Sequence, residues 1–170
     1  VLGGKDALAV LPTGGGKSLC YQIPALLRDG LGIVVSPLIA LMAGQVAALK
    51  ALGVRAERLD GSVPYEDRMS ALQSAGRGEM DLLYVSPEAL AGNLVHTLSR
   101  LNVALLAIDE AHCVSQWGHD FRPDYRSLGR LKDLFPGVPR LAVTATADDL
   151  TRADILKQLD LIDPAVHVAS

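Results

Sequence analysis

Cysteine, aromatic residues and net charge are all scarce in this chain of 170 residues. Its two cysteines, Cys20 and Cys113, are too few for a disulfide scaffold and cannot furnish a four-ligand zinc site. The histidines, His96, His112, His119 and His167, show no metal-ligand spacing. A formal charge of -3 excludes a globally basic nucleic-acid binder, so any such contact must come from a local patch. No apolar run reaches the ~18 residues of a membrane span, and no signal peptide is visible; the expectation is no membrane partner and a cytoplasmic protein, associated with the nucleoid if bacterial. Apolar residues are plentiful at 49%, against 21% charged, which points to a folded chain rather than a disordered one. The length suits one compact domain. The chain starts at Val1 rather than Met, close to its strongest motif, and reads as an excised piece of something larger.

Apolar runs and punctuated segments alternate from end to end. Strands are expected over Asp6–Leu11, Gly32–Ser36, Val54–Leu59, Asp81–Ser86 and Val103–Ile108, with a last one ending at Leu141–Thr144. Helices are expected over Ser18–Arg28 (apolar at Leu19, Ile23, Leu26 and Leu27), Leu38–Leu52 (Leu38, Leu41, Val46, Leu49 and Leu52 on one side), Tyr65–Gln73 and Glu88–Leu98. A final helix over Asp149–Leu159 would be capped by Asp148. Strands apolar on both faces, separated by helices, predict an α/β three-layer sandwich around a mostly parallel sheet. Ligands of such sheets sit beyond the carboxyl ends of the strands. There the polar segments fall: Thr13–Ser18, Ser36–Pro37, Ser86–Pro87, Asp109–Glu110 and Thr144–Thr146. Ser-Pro pairs can simply stop a strand, which accounts for two of these but not for all five.

Leu11–Ser18, Leu-Pro-Thr-Gly-Gly-Gly-Lys-Ser, follows a strand and opens a helix, the context of a P-loop. Backbone N–H groups of Thr13, Gly14, Gly15 and Gly16 would cradle phosphate, Lys17 would reach the β- and γ-phosphates of ATP, and Ser18 would hold Mg²⁺. The strict pattern has Gly where this chain has Leu11, and a bland alternative is a glycine-rich turn with a surface lysine. Asp109 and Glu110, delivered to the sheet edge by an apolar strand, would supply a second magnesium ligand and a group to orient the attacking water. The bland reading of that pair is a charge pair at a helix N-terminus. Thr144–Ala145–Thr146 fits a γ-phosphate sensor at the end of a buried strand.

Three of the seven aromatics, Trp117, Phe121 and Tyr125, fall within one stretch of nine positions after the acidic pair, interleaved with His119, Arg122 and two acids. Gly118 and Pro123 argue against one continuous helix there. Stacking surfaces beside a guanidinium suit single-stranded bases and phosphates. Composition alone leaves core packing and nucleic-acid contact equally open.

Read together, "LPTGGGKSLCYQIPAL" (Leu11–Leu26), "VVSPLIALM" (Val34–Met42), "YVSPE" (Tyr84–Glu88), "DEAHCVSQWGHDFRPDY" (Asp109–Tyr125) and "AVTATA" (Ala142–Ala147) closely resemble the first motor lobe of RecQ-family DNA helicases. The resemblance covers almost the whole chain, and the Asp109–Tyr125 stretch is specific to that family. It implies a RecA-like ATP-binding lobe of a Mg-ATP-driven motor that translocates on single-stranded DNA and unwinds forked DNA 3′-to-5′. Catalytic roles would fall to Lys17, Asp109, Glu110, Gln116 and Thr144. Trp117, Phe121 and Arg122 would couple DNA binding to hydrolysis, and His112 and Gln116 would lie between nucleotide and DNA. Ser36, Pro37 and Gln45 would lie by the elements that track DNA, and Thr144 and Thr146 would transmit closure between lobes. The family usually has an acid where this chain has Gly44, and Gly within a helix costs ~1 kcal/mol against Ala. The upstream adenine-recognition element and the second motor lobe, with its arginine finger, would lie outside residues 1–170, and a single-stranded-DNA-binding protein would be a further partner. Alternatives fit less of the chain. An RNA-directed remodelling enzyme would carry a generic segment after the acidic pair, and a non-catalytic nucleic-acid-binding module would have lost Lys17 or Glu110. A P-loop small-molecule kinase leaves the Trp117–Tyr125 loop without a job.

Overall fold

Strand residues alternate between the two faces of a sheet, and here both faces are apolar, so the sheet must be covered on both sides. The computed structural model describes residues 1–12, 14 and 16–169. Seven parallel strands, β1 (Ala7–Val10), β2 (Leu31–Val35), β3 (Ala56–Leu59), β4 (Leu82–Val85), β5 (Val103–Ile108), β6 (Arg140–Thr144) and β7 (Ala165–Val168), form one sheet in the order β3-β4-β2-β5-β6-β1-β7. The helices are α1 (Leu19–Leu27), α2 (Ile39–Ala51), α3 (Tyr65–Gly76), α4 (Pro87–Leu90), α5 (Leu94–Ser99), α6 (Leu131–Leu134) and α7 (Asp149–Gln158). On one face Leu8, Ile33, Leu83 and Leu106 pack with residues of α3 to α7, among them Ala71, Leu98 and Ile155. On the other, Ala9, Val34, Tyr84 and Leu105 meet α1 and α2 through Tyr21, Ala25, Met42 and Val46. This is the three-layer arrangement expected, with the sheet wholly parallel. The cap of α7 is also as expected: Asp148 accepts the Thr151 N–H at 2.8 Å.

Four local expectations are corrected. The apolar residues expected to bury α1, Leu19, Ile23, Leu26 and Leu27, face outward, and the buried side carries Tyr21 and Ala25. On α2, Leu38, Leu41 and Leu52 are exposed, and Met42, Val46 and Leu49 make the core contact. The helix expected over Glu88–Leu98 is two short helices, α4 and α5, separated at Ala91–Asn93, where glycine and asparagine disfavour helix. Finally, the sheet does not end at β6. β7 pairs along β1, and its four residues are all exposed at the sheet edge, so it carries none of the buried apolar pattern that marks the other strands.

A buried ion pair joins that edge to the centre. Arg140 Nη2 lies 2.8 Å from Asp6 Oδ2, while Asp6 also accepts the backbone N–H of Arg140 at 2.9 Å and of Ile162 at 2.8 Å. The guanidinium donates further to the carbonyls of Leu159 and Asp160 at 2.6 and 2.8 Å. With its donors used this way, one arginine ties β6 to the residue before β1, the end of α7 and the approach to β7.

Candidate active site

Parallel strands bring their carboxyl ends to one edge, and the loops after β1, β5 and β6 meet there. The P-loop leaves β1 with Leu11 N–H donating to the Thr144 carbonyl at 3.0 Å, which extends the β1–β6 ladder into the loop. Gly14 and Gly16 have φ of 83° and 78°, a backbone that residues with a Cβ rarely adopt. Thr13 and Gly15, both expected to hold phosphate, lie outside the described residues. Ser18 stands in helical geometry at the start of α1 and its hydroxyl does not cap the helix.

Lys17 Nζ lies 3.1 Å from Glu110 Oε1, a contact across 93 positions of sequence between two half-buried side chains. Asp109 is buried. Its backbone N–H donates to the Val35 carbonyl at 2.9 Å, its carbonyl accepts the Tyr125 hydroxyl at 2.9 Å, and its Oδ1 accepts the Glu110 N–H at 2.8 Å. Burial pushes the Asp109 carboxyl up, against the Glu110 N–H bond and the charge of Lys17. Glu110 itself sits in the left-handed region, φ 52° and ψ 45°, a conformation that costs a non-glycine residue ~1–3 kcal/mol and that recurs at functional sites. Asp109 and Ser18 are both hard oxygen donors, the set that suits Mg²⁺ rather than a soft metal.

His112 and Thr144 join this group. His112 Nδ1 lies 2.7 Å from Thr144 Oγ1, and Thr144 Oγ1 donates to the Thr146 carbonyl at 3.3 Å, so the consistent tautomer carries its proton on Nδ1. Burial holds the imidazole below its ordinary value. Its ring stacks on His119 with centroids 4.5 Å apart.

The segment after the acidic pair is a closed loop rather than a helix. It runs from a 3₁₀ turn over Ala111–Val114 to a second over Pro123–Arg130. The Arg122 N–H donates to the Cys113 carbonyl at 2.8 Å and closes it, and Gly118 leaves no space for a side chain, since a Cβ there would lie 2.8 Å from the His112 carbonyl. The two readings of the aromatics divide between residues. Tyr125 is fully buried and belongs to the core, whereas Trp117 is 67% exposed. Phe121 is half-buried, beneath the Arg126 guanidinium at 5.3 Å. Arg122 pairs with Asp120 at 3.3 Å. Trp117 and Thr146 line one cleft of about 240 Å³ with Gly118, His119 and Thr151. His112, Cys113 and Asp120 bring potential ligand atoms within 4.8 Å of one another, a grouping invisible in their spacing. Asp120 already pairs with Arg122, and burial pushes the Cys113 thiol up to about 12, which disfavours the thiolate that a metal would take.

The remaining candidates are held by other contacts, although Ser36 follows the end of β2 that is in register with Ile108, beside Asp109. Ser36 is buried and its hydroxyl accepts the Leu38 N–H at 3.4 Å, Pro37 is half-buried, and Gln116 is exposed. The Ser86 hydroxyl caps α4, the structural use that Ser-Pro pairs allow. Gln45 is reached indirectly, because the Tyr21 hydroxyl lies 3.0 Å from Gln45 Oε1 and 3.3 Å from Asp109 Oδ2. Sequence reasoning passed over Tyr21, which looks like one more apolar position of α1. Its signal was a hydroxyl-bearing side chain on the helix that follows the phosphate loop.

The DEAD/DEAH box helicase family matches residues 1–154. The chain is 51% identical to the ATP-dependent DNA helicase RecQ of Pasteurella multocida over 98% of its length and 27% of the relative's, and 53% identical to the protein of the same name from Haemophilus influenzae over 99% and 28%. It thus spans between a quarter and a third of these relatives. Among solved structures, a hypothetical ATP-dependent RNA helicase from Sulfolobus tokodaii shares the fold with a TM-score of 0.74 at 22% identity, over 99% of this chain and 49% of that one.

Proposed function

The chain belongs to the DEAD/DEAH box helicases, and from that premise we propose that it is the ATP-binding motor lobe of a DNA helicase of the RecQ type. The observation that carries the reading is the 3.1 Å pairing of Lys17 with Glu110 beside buried Asp109 at the carboxyl edge of the sheet. Lys17 and the N-terminus of α1 offer positive charge where a triphosphate would lie, and an incoming phosphate chain would draw the ammonium away from Glu110. Glu110, so released, is the base placed to orient or deprotonate the attacking water. Ser18 and Asp109 would hold Mg²⁺, which supplies charge neutralisation on the phosphates. Thr144 and His112 lie where the state of that site passes to the loop, and exposed Trp117, with Phe121 and Arg122, offers single-stranded DNA a stacking and phosphate-binding surface.

The RecQ resemblance supports 3′-to-5′ translocation and a forked DNA substrate. A second motor lobe would supply an arginine finger, worth ~10³–10⁵ in turnover in this class of reaction. The 170-residue chain alone would then be nearly inactive. The test is ATP turnover of the full-length protein with and without single-stranded DNA. The Lys17→Ala variant is expected to lose most turnover at saturating ATP, and near-wild-type turnover would overturn the assignment, as would robust unwinding by the 170-residue chain.

A further inference from the structure

The loop that carries Trp117 and Phe121 is held from one side by α7. The Ser115 hydroxyl is fully buried; it donates to Asp154 Oδ2 at 2.6 Å and accepts the Trp117 N–H at 3.1 Å. Asp154 Oδ1 accepts from Gln158 Nε2 at 3.0 Å, and Gln158 Oε1 accepts from Arg126 Nη1 at 3.3 Å. That guanidinium is the one standing over the Phe121 ring. A single carboxylate on α7 is therefore bonded towards both aromatics, to one through Ser115 and to the other through Gln158 and Arg126. Burial pushes the Asp154 carboxyl up, but the bonds from Ser115 and Gln158, with Arg126 and Lys157 nearby, outweigh it and hold the group ionised. A hydroxyl donating to a carboxylate is among the stronger protein hydrogen bonds.

The place of α7 gives this brace a direction. The helix starts directly after the Thr144–Thr146 segment at the end of β6, and Asp148 caps it. The end of β6 thus reaches the loop by two routes: the contact of Thr144 with His112 at the loop's start, and the body of α7 through Asp154 to Ser115.

We propose that Asp154 is a positioning residue that fixes the conformation of the Trp117–Phe121 loop through Ser115, and that α7 thereby links the end of β6 to the nucleic-acid-facing surface. Its DNA readout rests on the function proposed above, whereas its loop-order readout does not. Trp117 is the one tryptophan of the sequence, so its fluorescence anisotropy decay reports loop motion in this chain without a label. Asp154→Ala and Ser115→Ala should each enlarge the fast, local component of that decay while far-UV circular dichroism stays unchanged. In the full-length protein the same variants should keep the basal ATPase rate and lose most of its stimulation by oligo-dT. The double variant should be no worse than either single one, as expected when two residues act through one contact. Asp154→Asn, which keeps an acceptor for the Ser115 hydroxyl, should recover most of the stimulation. Should Asp154→Ala fail to fold, Ser115→Ala, which removes one hydroxyl, carries the same test. Wild-type Trp117 mobility in Ser115→Ala or Asp154→Ala overturns the proposal, and so does a parallel fall of basal and stimulated rates in both. Absence of DNA stimulation in the wild-type protein would instead count against the helicase reading, leaving Trp117 mobility to decide the role of Asp154.

Discussion

His112 Nδ1 and Thr144 Oγ1, 2.7 Å apart, join the turn after β5 to the end of β6. Both residues are buried, and the contact spans 32 positions of sequence. It links the turn after the acidic pair to the segment that precedes α7, and removing the Thr144 hydroxyl takes from the buried imidazole its short hydrogen bond.

Thr144→Val keeps the shape and removes the hydroxyl. The imidazole N–H then has Glu110 Oε2, 3.5 Å away, as its nearby carboxylate. The expected loss is ~1–3 kcal/mol of stability by urea denaturation, the cost of an unsatisfied buried donor. An unchanged midpoint would show that Glu110 or water takes over the bond.

The same histidine predicts a pH dependence. Burial lowers its folded-state pKa below the unfolded value, so the unfolded chain binds the proton more readily. The stability due to neutral His112 is fully present above the unfolded value of about 6.5 and is lost as pH falls from there towards the lower folded value. Asp109, raised by burial, acts oppositely, gaining stability as pH falls through its folded value. The difference in melting temperature between wild type and His112→Gln, followed from about pH 8 to pH 5, isolates the histidine. A difference that does not vary with pH would contradict a neutral buried imidazole.

Glu110→Gln retains side-chain shape and loses charge. In the full-length protein it should bind ATP with affinity close to wild type yet turn over ~10²-fold or more slowly, if water activation is its role. Turnover like that of the wild type would remove Glu110 from the mechanism.

Exposure separates two aromatics that composition could not. Trp117→Ala should change stability by no more than ~0.5 kcal/mol, because an exposed indole contributes little to the core. Tyr125→Ala should cost ~3–5 kcal/mol and lower every activity together. With DNA, Trp117→Ala should keep basal ATPase and lose stimulation. Thermal melts beside ATPase rates with and without oligo-dT distinguish the two.

At the far end of the sheet, Arg140→Ala would leave Asp6 buried without its counter-charge. Breaking such a pair costs ~3–5 kcal/mol, and the loss should loosen β7 first, measurable as faster amide exchange over Ala165–Val168. Equal protection in wild type and variant would show that the backbone ladder with β1 holds the edge unaided. Gly44→Ala is expected to act the other way, by ~0.5–1 kcal/mol, since a Cβ there meets nothing within 4 Å.

Periodicity, apolar runs and turn residues are local, and they sufficed for the alternation of strands and helices, for the parallel sheet, and for the placing of Lys17, Asp109 and Thr144 at its carboxyl edge. The motif order also carried the resemblance to RecQ helicases. Which side of each helix is buried was decided by the partner across the gap. Ala25 of α1 lies against Gly32 of β2, where even a Cβ would come within 2.6 Å, so α1 sits close on its small-residue side and turns Leu19, Ile23, Leu26 and Leu27 outward. Trp117 and Tyr125 look alike in sequence, yet only Tyr125 is directed inward, its hydroxyl on the Asp109 carbonyl. The pairing of Lys17 with Glu110, the Tyr21 hydroxyl between Gln45 and Asp109, and the hold of Asp154 on Ser115 all join distant positions. A hydrogen bond or ion pair needs its two atoms within about 3 Å, and for positions so far apart in the chain only packing around the sheet sets that distance.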